Sequence, residues 1–349
     1  MANSILKNLL LQGAEYGGIL NILQRIGSGF NHSVYILAYH RVAEFDQSPW
    51  LSPGLISTTP QQFDEQMKFI ADRYNPISIQ DLLRAIHGEG SLPKNAVLVT
   101  VDDGYRDFKD EIFPICTRYG IQPLLFIPTA FVGAGNFWWD KVYQIIYLSG
   151  QSSLNTPFGE FLISTSSEKR QALEQLTRSL KSIPFAIAMK WVGNAHATFV
   201  TLTHEQQHNT LTWDELRQLV RNGVTVACHT HTHPLLTRIS LEEARHEVRI
   251  SQDIIRHELG TALPIFAFPD GRPHAFSKPL FEMLHSEGFE LLFLLAGGRA
   301  LIQAENGKTI FPRVSVWQSQ TLPQFHMRLT PFWAFYESTI SHLGLLRNT

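Results

Sequence analysis

The sequence is poor in cysteine, in net charge and in long apolar runs, and each shortage excludes a class of protein. Its 349 residues include two cysteines, Cys116 and Cys228, which are too few for a disulfide framework or a thiolate zinc site. With 29 basic and 31 acidic side chains, the formal charge of -2 gives no bulk attraction to nucleic acid. No apolar run reaches the roughly 18 residues that a membrane-spanning helix needs. Histidine, in contrast, occurs 15 times, so any bound metal is expected on imidazole and carboxylate ligands.

The length and the 44% hydrophobic content predict a folded chain with a large core, arranged as two domains or as one barrel with an insertion. The sequence of residues 1–33 predicts an amphipathic helix over about 4–26. This helix would either pack on the protein or make a peripheral contact with a membrane. This segment lacks the pattern of a secretory signal, which favours a cytoplasmic location. Residues 321–349 are expected to form a C-terminal tail.

Short apolar, β-rich runs alternate with helical patterns along most of the chain. Such alternation predicts parallel β/α units, either in an open sheet or in a barrel. Residues 134–211 break the alternation and are predicted to be an insertion that carries one helix, around 168–180. The clearest predicted strands cover 34–39, 96–101, 122–127, 223–228, 265–268 and 290–294.

Two adjacent carboxylates, Asp102 and Asp103, follow the predicted strand 96–101 and precede Gly104. Like charges held side by side resist double ionisation, so a bound cation would relieve the cost of the pair. An Asp-Asp-Gly sequence is also typical of a surface turn. The end of a parallel strand, however, is where α/β proteins place their sites, and this favours a functional role.

Three alternating histidines, His229, His231 and His233, follow the predicted strand 223–228. They share one face of an extended segment, whereas in a turn the first and the third can also converge. Three histidines so close together favour a metal site over isolated core residues. Two of them with one carboxylate would make a common ligand set that leaves positions open for water.

A third loop, Asp270-Gly271-Arg272, follows the predicted strand 265–268. Alone it predicts an ordinary turn. Its interest lies in its position, because the loops at the ends of parallel strands meet at one edge of the sheet.

Together these motifs resemble the NodB-like polysaccharide deacetylases of carbohydrate esterase family 4. The family motif T-F-D-D-G stands here as residues 100–104, with Val101 for Phe. The motif H-[ST]-x-x-H stands as 229–233, and F-A-Y-P-x-G as 266–271. YHRV at 39–42 and FWWD at 137–140 resemble a subgroup associated with surface-polysaccharide gene clusters. The resemblance covers about residues 35–316 and implies a deformed (β/α) barrel of about seven parallel strands over 34–320, with the insertion.

The resemblance also implies an activity: a hydrolase acting on non-peptide C–N bonds that removes N-acetyl or O-acetyl groups from a polysaccharide or a glycan precursor. Its cofactor would be a divalent metal, zinc in the first place, bound by Asp103, His229 and His233. Asp102 would be the general base. The backbone N–H of Asp270 would stabilise the oxyanion. The remaining expected residues are Tyr105, Gly271 and Arg272 beside the substrate, and Thr230 and His231 behind the ligands.

Two family features are missing from the sequence. The arginine that helps to fix the base in many relatives aligns with Ala267, so Arg272 or Arg313 would have to replace it. The histidine that acts as general acid in many relatives has no counterpart late in the chain. His274 is the first candidate for this acid and His231 the second, while His40 either lines the site or caps a strand end.

Two alternative functions stay open at this stage. One is a different metal-dependent amidohydrolase, in which His229 and His231 are ligands that alternate on a strand. The other is a degenerate, glycan-binding relative without catalysis.

Overall fold

A computed structural model gives the fold and describes residues 33–44, 46–203, 205–301, 309–318, 320–330 and 333. The predicted N-terminal helix lies outside the described residues, as does most of the predicted tail after residue 330. Within the described part of the chain, no helix combines the length and the apolar character needed to cross a membrane.

Strands and helices alternate as the sequence predicts, and a π-helical turn at Phe108–Ile112 leads into the third helix. The described strands are β1 Ser33–Tyr39, β2 Arg41–Val42, β3 Ile56–Thr58, β4 Asn75–Pro76, β5 Ala96–Val101, β6 Leu124–Ile127, β7 Ser153–Thr156, β8 Gly159–Leu162, β9 Thr225–Cys228, β10 Ile265–Ala267, β11 Leu291–Leu294, β12 Ala300–Leu301, β13 Thr309–Pro312 and β14 Val314–Ser315. The described α-helices are α1 Pro60–Arg73, α2 Ile79–Ile86, α3 Phe113–Arg118, α4 Trp138–Leu148, α5 Ser166–Ser182, α6 Phe185–Phe199, α7 Trp213–Arg221, α8 Leu241–Leu259, α9 Lys278–Ser286 and α10 Leu322–Arg328.

The main sheet is a nearly closed barrel of parallel strands. Its order is β1-β5-β6-β9-β10-β11-β13, with every neighbouring pair parallel and β12 antiparallel to the start of β1. The segment 309–315 closes the barrel, because β13 pairs with β11 and β14, one residue further on, pairs with β1. The predicted barrel of about seven parallel strands is therefore confirmed, although the sequence patterns did not reveal the closing segment.

The barrel strands are buried on both faces, as parallel sheets covered by helices require. Because side chains alternate along a strand, Ile36 and Leu98 belong to one apolar cluster and Leu37 and Val99 to another. The cluster that contains Ile36 and Leu98 also contains side chains of α2. The cluster that contains Leu37 and Val99 also contains side chains of the helices that surround the barrel.

Helix ends follow recognisable capping residues. Thr59 caps α1, with Pro60 in its first turn, and Ser240 forms a capping box with Glu243 at the start of α8. Gly260 ends α8 in the left-handed conformation at φ 79°. These caps set the bounds of α1 and α8.

The stretch predicted as an insertion folds around an apolar cluster of its own. It contains α4, the hairpin β7–β8, α5 and α6, whereas the sequence predicted only the helix that corresponds to α5. At the other end of the chain, α10 places Phe325 in the main core, so the first residues of the predicted tail belong to the barrel domain.

Candidate active site

The carboxyl ends of β5, β9 and β10 bring the three predicted motifs to one mouth of the barrel. The backbone there adopts left-handed conformations that non-glycine residues rarely take: φ is 75° at Asp103, 68° at Thr230, 59° at His233 and 63° at Asp270. Among the described residues only Asn95 shares this property outside the three motifs. Such conformations cost about 1–3 kcal/mol each and persist where the surroundings impose them, typically at functional sites.

Asp103, His229 and His233 form one compact group of potential metal ligands. The Asp103 Oδ1 atom lies 3.7 Å from His229 Nε2 and 3.4 Å from His233 Nε2, and the two Nε2 atoms are 3.2 Å apart. Asp103 Oδ1 is buried and has no hydrogen-bond partner among the described residues. The other ring nitrogen of His229, Nδ1, lies 2.8 Å from the carbonyl oxygen of Ala267, which is the usual orientation of a metal-binding imidazole.

The electrostatics of this group also fit a cation. Burial, together with the nearby Asp102 carboxylate, raises the pKa of Asp103 well above its usual value. Burial lowers the pKa of His229 to about 4 and that of His233 well below its usual value. The lowered pKa values favour neutral imidazoles, the form that binds metals, and a divalent cation would offset the cost of ionising Asp103 beside Asp102.

Asp102 has the opposite environment, although it is adjacent to Asp103. Arg313, which is fully buried, donates Nη1–H to Asp102 Oδ1 at 2.7 Å and Nη2–H to Oδ2 at 2.8 Å. Burial alone would raise the pKa of Asp102, but the guanidinium outweighs it and lowers the pKa to about 2. Arg313 lies in the closing segment between β13 and β14 and donates to Thr100 as well. Of the two arginines considered for this position, Arg313 is the one that contacts Asp102.

His40 approaches the same carboxylate from β1. Its Nε2 atom lies 3.9 Å from Asp102 Oδ2, and its side chain is 22% exposed. Burial lowers the pKa of His40, and the Asp102 carboxylate partly offsets this shift. His40 therefore lies on the wall of the cavity, next to the Asp102 carboxylate.

The loop that carries the histidine ligands is fixed from behind. Thr230 Oγ1 accepts the backbone N–H of His233 at 3.1 Å, and His231 Nδ1 lies 2.9 Å from Thr129 Oγ1. Glu247 of α8 accepts the backbone N–H groups of His231 and Thr232 at 2.9 and 2.7 Å. The sequence analysis missed Glu247, since an acidic residue on a charged helix gives no signal of what it faces.

His231 points away from Asp103, and the ligand group comprises His229 and His233 instead. The geometry of the described residues therefore gives no support to an amidohydrolase with alternating ligands at His229 and His231, which stays a hypothesis. The physical reason for this geometry is the turn at residues 230–233, where two left-handed residues bring the first and third histidines together.

Tyr105 lies beneath the site, which corrects the expectation that it borders the substrate. Its side chain is 1% exposed, its hydroxyl donates to Asp140 Oδ2 at 2.7 Å, and it accepts the Nε1–H of Trp139 at 2.8 Å. Burial raises the pKa of Asp140 to about 6. The Trp139 ring lies 4.8 Å from the His233 ring, so the FWWD segment supports a metal ligand from the side.

The third loop is a cluster of opposite charges at the edge of the site. Arg272 donates to Asp270 at 2.6 and 3.1 Å and does not pair with Asp102. Lys181 of α5 lies 3.5 Å from Asp270, and His274 lies 3.6 Å from it with a side chain that is 54% exposed. Gly271 is required here because φ is +64° and a Cβ atom would come within 2.7 Å of Leu295.

A cavity of about 1570 Å³ opens above these groups, between the barrel mouth and helices α5 and α6. Asp102, Asp103, His229 and His233 line its barrel side together with His40. The opposite wall comes from the insertion, with residues such as Leu173, Phe185 and Met189. The arrangement therefore presents a metal-ligand group, an ionised carboxylate and an imidazole to one large space.

The comparisons with known proteins agree with this site. The family model described as polysaccharide deacetylase matches residues 192–291, and no curated protein matches the chain. Streptococcus pyogenes deacetylase PplD, solved with acetate, is 17% identical with a TM-score of 0.57, over 86% of this chain and 99% of that one. IcaB from Ammonifex degensii is 16% identical with a TM-score of 0.55, over 86% and 98%. A de-N-acetylase from Aggregatibacter actinomycetemcomitans is 15% identical with a TM-score of 0.53, over 85% and 99%.

The solved structures share the fold along nearly their whole length, and the family model covers the second and third motifs on β9 and β10. The first motif, on β5, lies outside the matched range but contributes Asp103 to the same ligand group. The chain therefore resembles polysaccharide deacetylases in sequence over residues 192–291, and it shares its barrel fold with the solved deacetylases.

Proposed function

We propose that this protein is a metal-dependent deacetylase that hydrolyses N-acetyl groups of a glycan, with Asp102 as general base and His40 as general acid. One observation carries the proposal: a group of three metal ligands lies beside a carboxylate that Arg313 keeps ionised, on the wall of a cavity large enough for a saccharide. The names of the similar structures, a deacetylase bound to acetate and a de-N-acetylase, support the acetamide as the bond that is broken.

Asp103, His229 and His233 would hold the metal. A divalent ion at this site lowers the pKa of water and polarises a carbonyl oxygen. Zinc is the first candidate because two imidazoles and one carboxylate are a frequent set for catalytic zinc, although cobalt, nickel and iron accept the same donors. The expected cofactor is accordingly a divalent ion on an Asp-His-His site.

Asp102 takes the proton of the attacking water. A base must be ionised to do so, and the bidentate contact with Arg313 keeps the pKa of Asp102 at about 2. The same contact fixes the orientation of the carboxylate, because a fork of two N–H groups holds both oxygens. The two adjacent aspartates thus divide the work: Asp103 binds the ion and Asp102 moves the proton.

His40 supplies the proton to the departing amine. It lies on the cavity wall, and its Nε2 atom is 3.9 Å from Asp102 Oδ2, so both groups reach the same tetrahedral centre from neighbouring positions. His274, the sequence-based candidate, lies beside Asp270 on the exposed third loop. The backbone of Asp270 and Gly271 remains our candidate for contacts with the oxyanion.

The test is the substitution Asp102→Asn in metal-loaded protein. We expect acetate release from acetylated amino-sugar oligomers to fall by about 10²–10⁴-fold, since a positioned base contributes that much. The metal content, measured by mass spectrometry, should remain at the wild-type level because Asp102 is not a ligand.

Glu290→Gln is the matched control, because this exposed carboxylate pairs with His87 and contributes nothing to the site. A full rate in Asp102→Asn would overturn the assignment of the base. Binding of the oligomers without acetate release by wild-type protein would instead favour the degenerate, glycan-binding alternative.

A further inference from the structure

The cavity wall is strongly basic, although the chain as a whole has a formal charge of -2. Apart from Arg313, which Asp102 neutralises, seven cationic side chains among the described residues line the cavity. Apart from Asp102 and Asp103, the described lining contains two acidic residues, Glu174 and Asp270, so the cations exceed these carboxylates by five. The seven cations are Arg170, Arg178, Lys181, Arg238, Arg272, Arg299 and Arg328.

Some of these cations are held in place by partners of their own. Arg178 pairs with Glu174 at 2.5 Å, and both Lys181 and Arg272 contact Asp270. Arg328 donates to the carbonyl of Ser315 and stacks on the Trp317 ring. These contacts orient the side chains but leave the cavity with an excess of positive charge.

Arg170 and Arg238 are different, since neither has an ion-pair partner among the described residues. Both are exposed and both line the cavity: Arg170 lies on α5 of the insertion, and Arg238 follows the histidine loop of the barrel. Two exposed cations from different segments of the cavity lining, without ion-pair partners among the described residues, favour a ligand that brings its own negative charge.

On the basis of the proposed deacetylase activity, we infer that the substrate is an anionic glycan, whose phosphate or carboxylate groups bind between Arg170 and Arg238 while an acetamide lies at the metal ligands. Guanidinium groups suit this chemistry, because their planar N–H forks match both phosphate and carboxylate oxygens. The formal charge of -2 on the whole chain does not argue against an anionic ligand, because the local excess of positive charge in the cavity determines which ligand binds there.

The test uses wild-type protein freed of metal by chelation, in which Asp102 still neutralises Arg313 and no turnover is expected, and three tetramers that contain N-acetylglucosamine. One is neutral chitotetraose, one carries uronate carboxylates as in hyaluronan, and one is linked by phosphodiesters. We expect both anionic oligomers, or one of them, to bind at least 10-fold more tightly than the neutral one at low salt, measured by titration calorimetry. The preference of one anionic tetramer over the other identifies the anion as phosphate or carboxylate.

Charge-removing variants then locate the anion site. In the same metal-free protein Arg170→Gln and Arg238→Gln should each weaken binding of the anionic tetramer about 3–10-fold and leave chitotetraose unchanged. Arg221→Gln, an equal change of charge at an exposed position on α7 outside the cavity, should alter neither. Raising the NaCl concentration from 20 to 300 mM should weaken only the anionic complexes, because salt screens exposed charges.

Equal binding of all three tetramers, or equal losses in the Arg221→Gln control, would overturn the inference. This result is distinct from failure of the proposed function. Failure of that function would show in wild-type protein as an absence of acetate release from every tetramer, whichever of them bind.

Discussion

The two walls of the cavity are built on different physical principles. At the ends of the barrel strands the charged groups around the ligand residues are almost inaccessible: Arg313 is 0% exposed, and Asp102 and His229 are 2% exposed. On the insertion wall the charged groups of α5, such as Arg170, Arg178 and Lys181, are exposed to solvent. The barrel wall therefore holds a few charged atoms in fixed positions, whereas the insertion wall presents several exposed cations.

This difference in burial indicates which function each wall suits. A buried charge is stable only with a well-oriented partner, so a change on the barrel wall leaves an uncompensated charge and costs several kcal/mol. An exposed charge is screened, and its removal costs about 0–1 kcal/mol. Chemistry that needs fixed positions belongs on the first wall, and recognition that varies with the substrate belongs on the second.

The largest expected effect is on the ligand group itself. Asp103→Asn and His233→Ala should each abolish metal binding at micromolar concentrations and, with it, acetate release, because the described residues offer three ligands and each variant removes one. His231→Ala should keep both, since His231 contacts Thr129 instead. Metal content after dialysis, measured by mass spectrometry, distinguishes the cases. Loss of metal in His231→Ala with retention in His233→Ala would support the amidohydrolase hypothesis.

The next effect concerns the ion pair between Arg313 and Asp102. Arg313→Lys keeps the charge but loses the fork, so we expect kcat to fall about 10²-fold, within the range of a positioned base. Burial then raises the pKa of Asp102 with less compensation. The base acts only when it is ionised. As the pH falls, the variant should therefore lose activity at a higher pH than the wild type, whose Asp102 has a pKa of about 2. A pH–rate profile measures this limb.

Arg272→Gln serves as the control for the ion pair, because Arg272 was the other sequence-based candidate and binds Asp270 instead. Its acid limb should coincide with that of the wild type. If Arg272→Gln shifts the limb and Arg313→Lys does not, the assignment of Arg313 is wrong.

Sequence reasoning predicted the barrel wall much better than the insertion wall. Asp102, Asp103, His229 and His233 follow strong strand patterns, and strand ends meet at one edge of a parallel sheet. Arg313 was only one of two candidates, since its segment pairs with two different strands and is too short to give a periodic signal. Lys181 and Arg170 could not be placed, because the packing of an insertion depends on tertiary contacts rather than on local pattern.

A smaller effect is expected for the general acid. His40→Gln should lower kcat by about 10–100-fold with little change in KM, because the group acts on the leaving amine rather than on the bound substrate. His274→Gln should leave kcat within about 3-fold of the wild type, since exposed positions contribute little beyond their charge. Kinetics with an acetylated oligomer and with an activated acetyl ester separate the two, because a good leaving group does not need the acid. If kcat falls more in His274→Gln than in His40→Gln, the general acid is His274 of the third loop rather than His40.

The smallest effect tests the stability of the insertion rather than its chemistry. His196 on α6 is partly buried, with Nε2 2.7 Å from Gln144 Oε1 of α4, and burial lowers its pKa to about 4. The folded insertion therefore binds fewer protons here than the unfolded chain, in which the histidine pKa is about 6.5. The stability from this group is complete above pH 6.5 and declines as the pH falls towards 4. Because solvent screens a partly exposed ring, we expect a loss of about 1 kcal/mol.

Hydrogen exchange of α4 and α6 at pH 7 and pH 5 measures this loss locally, and β5 in the barrel provides the internal reference. His196→Gln keeps a donor for Gln144 but cannot titrate, so it should remove the difference between the two pH values in α4 and α6. The barrel contains buried histidines of its own, and their protonation would weaken both regions alike. An equal response of β5 and α4 in the variant and the wild type would show that the insertion has no acid sensitivity of its own, and that its stability follows the barrel.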